Sequence, residues 1–125
     1  DHRGHVETLK VGHCTNLSEA MLGTTTPHLY EGKDRDGFEN LRHAVKMARY
    51  GGDAYFFSLV AAGHLDIAMD AGLQIYDIAA LLPIIRGAGG LVGTWSDNDI
   101  TQGGHILAAS NQYLLDAARE KMLDL

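Results

Sequence analysis

The chain has 125 residues, of which 46% are apolar and 21% are charged, and this is the size and composition of a single globular domain with one core. Its 10 basic and 16 acidic side chains give a formal net charge of -6, which argues against a nucleic-acid-binding surface. No stretch of about 18 apolar residues could span a membrane, and the single cysteine, Cys14, excludes an internal disulfide. A cytoplasmic protein with no membrane partner is therefore expected.

The first third of the chain predicts a strand, a turn and a helix. Residues 20–26 read as a strand that ends at Pro27, since proline cannot continue a central ladder. Residues 31–37 are rich in glycine and aspartate and predict a turn, in which the acidic side chains are simply solvated. Apolar residues then recur at helical spacing, which predicts an amphipathic helix over 38–50.

The middle of the chain predicts a buried helix followed by a strand. Residues 54–62 are almost entirely apolar, with Asp53 in the N-cap position and Gly63 after the C-terminus. Gly72 then predicts a turn. Between the helix and that turn, alternation predicts a strand with three apolar side chains on one face: Leu65, Ile67 and Met69.

The last third predicts a helix, two strands and a final helix. The third helix opens at Asp77 as its N-cap and closes at 88–90. Strands over 91–95 and 105–109 flank a polar loop. Asn111 then caps a helix whose apolar stripe consists of Leu114, Leu115, Ala118 and Met122.

This alternation of strands and helices predicts an α/β fold, a layered domain with a mostly parallel or mixed sheet covered by helices on both faces. Ligands bind such sheets at the carboxyl ends of the strands and the N-termini of the helices. Asp53, Asp70 and Asp77 all fall at such positions, so three carboxylates are expected at one edge. From position alone, Asp53 and Asp77 could equally be helix caps, and Asp70 could simply end a strand.

Asp77 is the most informative of these residues, because an uncharged run follows it up to Arg86. A carboxylate at the start of a helix is stabilised by the free amides and the positive end of the helix dipole. The same end attracts phosphate. Mg²⁺ prefers oxygen ligands and keeps several waters, so one aspartate on a rigid helix end suits it.

Several segments resemble the C-terminal part of the inositol monophosphatase superfamily. The run from Tyr76-Asp77 through Ala79-Ala80 to Ala88-Gly89-Gly90 resembles that superfamily's C-terminal signature. The pieces Thr24 to His28 and Gly52 to Tyr55, together with Tyr-Asp at Tyr76-Asp77, look most like histidinol-phosphatases of the inositol monophosphatase type. The resemblance covers nearly the whole chain and implies the C-terminal half of the inositol monophosphatase and fructose-bisphosphatase-like fold.

The resemblance implies a magnesium-dependent phosphatase that hydrolyses L-histidinol phosphate in histidine biosynthesis, active as a homodimer. It makes Asp77 a metal ligand and makes Gly52, Asp53 and Asp70 substrate-binding residues. Generic inositol phosphatases carry small neutral residues in place of Asp53. An added carboxylate suits a substrate with an ammonium group and an imidazole.

The resemblance also implies that residues 1–125 are one C-terminal domain of a longer phosphatase. The family's first metal-binding motif and its water-activating glutamate belong to an N-terminal half that this sequence lacks, so no catalytic residue is identified. Arg86 stands where the family usually has glutamate. Two other functions remain open: an inositol-1-phosphate or general sugar-phosphate phosphatase, and a noncatalytic binding or assembly module.

Overall fold

Five strands and four α-helices are formed within the part of the chain that the computed structural model describes, which is residues 11–25, 30–51, 55–73, 75–94 and 104–123. The strands are β1 (Met21–Thr24), β2 (Met47–Tyr50), β3 (Ile67–Leu73), β4 (Leu91–Gly93) and β5 (Gly104–Ala109). The helices are α1 (Gly32–Ala44), α2 (Tyr55–Ala61), α3 (Ile75–Gly87) and α4 (Gln112–Leu123), and a 3-10 turn covers Leu17–Glu19.

The strands form one mixed sheet in the order β2-β1-β3-β5-β4. Strands β2, β1 and β3 run parallel, whereas β5 is antiparallel to both β3 and β4. Leu22 of β1 lies opposite Ile67 of β3, and Ala68 lies opposite Ala108 of β5. The carboxyl ends of the three parallel strands therefore meet at one edge of the sheet.

Each face of the sheet carries its own hydrophobic cluster, which confirms the predicted layers. On one face, Ile67 and Met69 pack with the buried side chains of α1 and α4, including Phe38 and Leu114. On the other face, Ala68 packs with α2 and α3. Residues of β3 alternate between the two clusters, as a strand covered on both sides requires.

The prediction for residues 31–50 is wrong in two places. Residues 32–37 are not a turn but the first half of α1, and the helix ends at Ala44, so β2 occupies the predicted last turn. Tertiary contacts override the local signals at both points. Gly37 lies where α1 touches the backbone of Met122 in α4, and Lys46 donates its amide to the Ala20 carbonyl at 2.9 Å, which starts the β1–β2 pairing.

Two details of the predicted third strand also differ. Gly72 is not a turn residue, because β3 continues to Leu73 with a register shift against β5 between Asp70 and Leu73. Leu65 precedes the strand and packs in the α2–α3 cluster, whereas Ile67 and Met69 face α1 and α4. Ile67 and Met69 therefore share a face as predicted, but Leu65 does not.

The final helix confirms its predicted cap and its predicted stripe. Asn111 Oδ1 accepts a hydrogen bond from the Leu114 amide at 3.0 Å, and Asn111 Nδ2 donates to the Cys14 carbonyl at 2.7 Å. The four predicted stripe residues are all buried. Among the described residues, no helix is long and apolar enough to cross a membrane.

Candidate functional site

The four predicted site residues differ in how much of each the structure describes. Asp70 lies in β3 and is described in full. Asp77 lies in the first turn of α3, and its side chain is outside the described part. Gly52 and Asp53 lie outside the described residues, although Gly51, which precedes them, is described. Convergence of all three acids therefore stays a prediction.

Asp70 is a buried carboxylate held by two neutral donors. Its side chain is only 4% exposed. Oδ2 accepts a hydrogen bond from Thr25 Oγ1 at 2.8 Å, and Oδ1 accepts one from the Ala71 amide at 2.9 Å. Among the described residues, no cationic side chain lies within ion-pair distance of it. A buried carboxylate is costly unless it is paired, so a cationic or hydrogen-bond-donating ligand would suit this position.

The end of β1 links Asp70 to the neighbouring strand. Thr25 follows the last residue of β1, and its carbonyl accepts a hydrogen bond from the Gly51 amide at 2.7 Å. Its hydroxyl holds Asp70 on the other side. One residue therefore contacts both the end of β2, which leads into Gly52 and Asp53, and the carboxylate on β3.

Thr24 and Tyr30 form a buried pair on the opposite face of the sheet. Thr24 Oγ1 and the Tyr30 hydroxyl lie 2.7 Å apart, and both residues are 1% exposed. The Tyr30 ring stacks on Phe38 of α1 with a centroid distance of 4.7 Å. Burial raises the pKa of the Tyr30 phenol well above its usual value. The hydrogen bond between Thr24 and Tyr30 works against this rise, and the charges of Asp70 and Asp34 add to it.

Helix α3 begins at Ile75, so Asp77 is the third residue of the helix rather than its N-cap. The reason is that β3 ends at Leu73, and the helix begins three residues earlier than an N-cap at Asp77 would require. Asp77 still lies in the first turn, where free amides and the helix dipole favour negative charge. That turn starts two residues after the strand that carries Asp70, and α3 covers the face on which Asp70 lies.

The described residues contain no group of three histidine, cysteine, aspartate or glutamate side chains that could hold a metal ion. The predicted site acids nevertheless fit magnesium in kind. They are oxygen donors, and Mg²⁺ takes few protein carboxylates and keeps several waters. That Asp77 holds the ion stays a prediction.

Two other charged residues, Asp34 and Arg86, make contacts that sequence reasoning did not predict. Asp34, predicted to be solvated in a turn, lies in the first turn of α1, and its Oδ2 is 3.1 Å from His105 Nε2 of β5. Arg86 is exposed in the last turn of α3, where a cation is favourable with the helix dipole. Its side chain lines a cavity of about 200 Å³ with Gln112 and Leu115.

Thr25 is the contact that sequence reasoning missed. It belongs to the Thr24-Thr25-Thr26 run, but nothing in that run distinguishes a hydroxyl that faces the core from one that faces the site. Alternation along β1 could have found it. Leu22 and Thr24 face α1, so Thr25 must point toward the face that carries Asp70.

The chain matches a model described as the inositol monophosphatase family over residues 2–123. It is 36% identical over 121 residues to an inositol-1-monophosphatase of Rhizobium meliloti, covering 90% of the chain and 44% of that protein. It is 39% identical over 90 residues to the chloroplastic bifunctional phosphatase IMPL2 of Arabidopsis thaliana, covering 72% of the chain and 26% of that protein. Other relatives at 31–36% identity are named histidinol-phosphatase.

The fold agrees with solved structures of the same kind. An inositol monophosphatase from Zymomonas mobilis superposes with a TM-score of 0.87 at 34% identity, covering 94% of this chain and 47% of that one. The chain thus spans less than half the length of each of these three proteins.

Proposed function

Because the chain belongs to the inositol monophosphatase family, we propose that it is the C-terminal domain of a magnesium-dependent phosphatase that converts L-histidinol phosphate to L-histidinol and phosphate. The observation that carries the choice of substrate is the buried Asp70 carboxylate, which has neutral donors and no cationic side chain beside it among the described residues. L-Histidinol phosphate has an ammonium group that could pair with it. The ring of inositol phosphate offers neutral hydroxyl donors, which can hydrogen-bond to the carboxylate but cannot neutralise its charge.

In this proposal the residues of the chain divide the work between substrate and metal. Asp77 in the first turn of α3 holds Mg²⁺, and the free amides of that turn attract the phosphate group. Bound magnesium would polarise the phosphate oxygens and lower the pKa of the attacking water. Asp70 and Asp53 accept hydrogen bonds from the organic part of the substrate, each worth roughly 1.5–3 kcal/mol when charge is involved.

The substrate is tested by comparing two phosphomonoesters on the complete gene product. With Mg²⁺ present, kcat/KM is measured for L-histidinol phosphate and for myo-inositol 1-phosphate. We expect histidinol phosphate to be preferred by at least tenfold, and Asp53→Asn to reduce this preference while keeping a helix-capping side chain. Equal losses on both substrates in Asp53→Asn would assign Asp53 a purely structural role.

The metal ligand is tested by Asp77→Asn in the same protein. Asparagine keeps a polar side chain at the helix start but has no charge and binds magnesium poorly. We expect the variant to unfold at the same temperature as wild type within a few degrees and to lose more than about a hundredfold in kcat, a loss of about 3 kcal/mol. Wild-type turnover in the variant at saturating magnesium would show that Asp77 is not a ligand.

An inositol-1-phosphate or general sugar-phosphate phosphatase is the second candidate. It is favoured by the relatives named inositol-1-monophosphatase, one of which is 36% identical over 121 residues. A wild-type protein that prefers myo-inositol 1-phosphate would establish this alternative.

A homodimer and a cytoplasmic setting are part of the leading proposal. Light scattering on the complete gene product tests whether it is a homodimer.

A further inference from the structure

We propose that Thr25 is a positioning residue that fixes the Asp70 carboxylate for substrate selection. The inference rests on the proposed function, because it assumes that Asp70 faces the organic part of the substrate. Thr25 itself is not required to touch the substrate. It acts by holding the acid that does.

The geometry of the Asp70 carboxylate is fixed by two donors. The two oxygens of Asp70 accept from two different donors, Thr25 Oγ1 and the Ala71 amide, at 2.8 and 2.9 Å. Hydrogen bonds to both oxygens fix the rotation of the carboxylate plane, whereas a single bond would leave a broad range of angles. Each oxygen keeps a lone pair for a further donor. The direction of that free acceptor is therefore set by Thr25.

Thr25 is itself held in place by the neighbouring strand. Its carbonyl accepts a hydrogen bond from the Gly51 amide at 2.7 Å. Thr25 has a single hydroxyl proton, and it is committed to Asp70. The chain after Gly51 continues into Gly52 and Asp53, so the same residue ties together two segments that the proposed function assigns to substrate binding.

The chain contains its own control for this role of Thr25. Thr24 and Thr25 are consecutive residues of one type, and each makes one side-chain hydrogen bond of 2.7–2.8 Å, but on opposite faces of the sheet. Thr24 contacts only the hydrophobic side, where its partner is Tyr30. Thr24→Val and Thr25→Val therefore remove the same hydroxyl group from adjacent positions, and only the second should alter selectivity.

The experiment measures kcat/KM for L-histidinol phosphate and myo-inositol 1-phosphate in the complete gene product. Thr25→Val should lower the ratio of the two values by about tenfold, mainly through KM for histidinol phosphate, which is the scale of one hydrogen bond to a charged group. Thr25→Ser keeps the hydroxyl and should restore the ratio to within about twofold of wild type. Thr24→Val should lower the melting temperature but leave the ratio unchanged.

A second set of variants asks whether Thr25 acts through Asp70. Asp70→Asn should remove the preference, and adding Thr25→Val to it should change the ratio by less than about twofold, because effects that act through one group are not additive. A similar loss on both substrates in Thr25→Val, or an equal shift of the ratio in Thr24→Val, would overturn the proposal. So would a full additional shift in the double variant.

Failure of the proposed function gives a different result, since it appears in the wild-type protein as no preference for histidinol phosphate. The positioning role is then judged on the KM of the substrate that the protein accepts. A rise in KM with Thr25→Val that is rescued by Thr25→Ser and absent in the Asp70→Asn background supports it. An unchanged KM overturns it.

Discussion

At the scale of single residues, the buried Thr24–Tyr30 pair on the α1 face of the sheet predicts how stability depends on alkaline pH. Burial raises the pKa of Tyr30 above its ordinary value near 10. In the unfolded chain the phenol therefore loses its proton at a lower pH than in the folded protein. Its contribution to stability is present below about pH 10 and is lost as the pH rises further.

We expect Tyr30→Phe to change both the level and the pH dependence of stability. At pH 7 the variant should lose about 1–2 kcal/mol, because Thr24 loses a buried hydrogen-bond partner. Between about pH 10 and 11 the free energy of unfolding should fall less steeply than in wild type. Urea unfolding between pH 7 and 11 measures both the loss of stability and its pH dependence. Tyr113→Phe is the control, because Tyr113 is 73% exposed. An unchanged alkaline slope in Tyr30→Phe would contradict the assignment.

The site could be predicted from the sequence only in part, and the difference has a physical cause. Asp70 was singled out because it falls at the carboxyl end of a predicted strand and at an acidic position of the family, and Asp77 because an uncharged run follows it. Thr25 was not singled out, since threonine occurs equally facing a core or a site. Its hydrogen-bond partner is a carboxylate 45 positions later in the chain, a contact that no local pattern contains.

At the scale of secondary structure, the crossing of α1 and α4 depends on the absence of a side chain at Gly37. A Cβ at that position would overlap the backbone of Met122. We expect Gly37→Ala to destabilise the protein by about 1–3 kcal/mol, since the two helices must move apart. Gly87→Ala is the matched control, because Gly87 ends α3 with nothing near its Cβ position.

The control change should be neutral or stabilising by up to about 1 kcal/mol, the difference in helix propensity between the two residues. Chemical denaturation of both variants provides the comparison. A destabilised Gly87→Ala together with an unaffected Gly37→Ala would show that helix propensity, rather than close packing, governs the two positions.

Elements with strong local signals were predicted well, and those that depend on distant partners were not. Helix α4 has a side-chain cap and four buried apolar residues at helical spacing, and its start and stripe agree with the sequence. By contrast, β2 is a four-residue edge strand with mostly exposed side chains. Its strand conformation comes from pairing with β1. Its own residues carry no strand signal, so the sequence predicted that the preceding helix continues through them.

At the scale of the whole molecule, the two hydrophobic clusters indicate that this chain carries its own core. We expect purified residues 1–125 to unfold cooperatively, as measured by circular dichroism on heating. We also expect no magnesium-dependent hydrolysis of L-histidinol phosphate, because the family resemblance implies that the other metal ligands and the water-activating glutamate lie outside residues 1–125. The complete gene product is the positive control, and turnover by the purified chain alone would require a second metal site within it.

Strand β3 presents different side chains to the two faces of the sheet. Ile67 and Met69 fill the cluster under α1 and α4, while Asp70 lies on the opposite face with its hydroxyl partner. In the proposed function, a substitution at Ile67 or Met69 alters thermal stability, whereas one at Asp70 alters ligand choice. A single-residue insertion before Ile67 would change both at once. It would exchange the faces, placing a carboxylate in the hydrophobic cluster and an apolar side chain in the site.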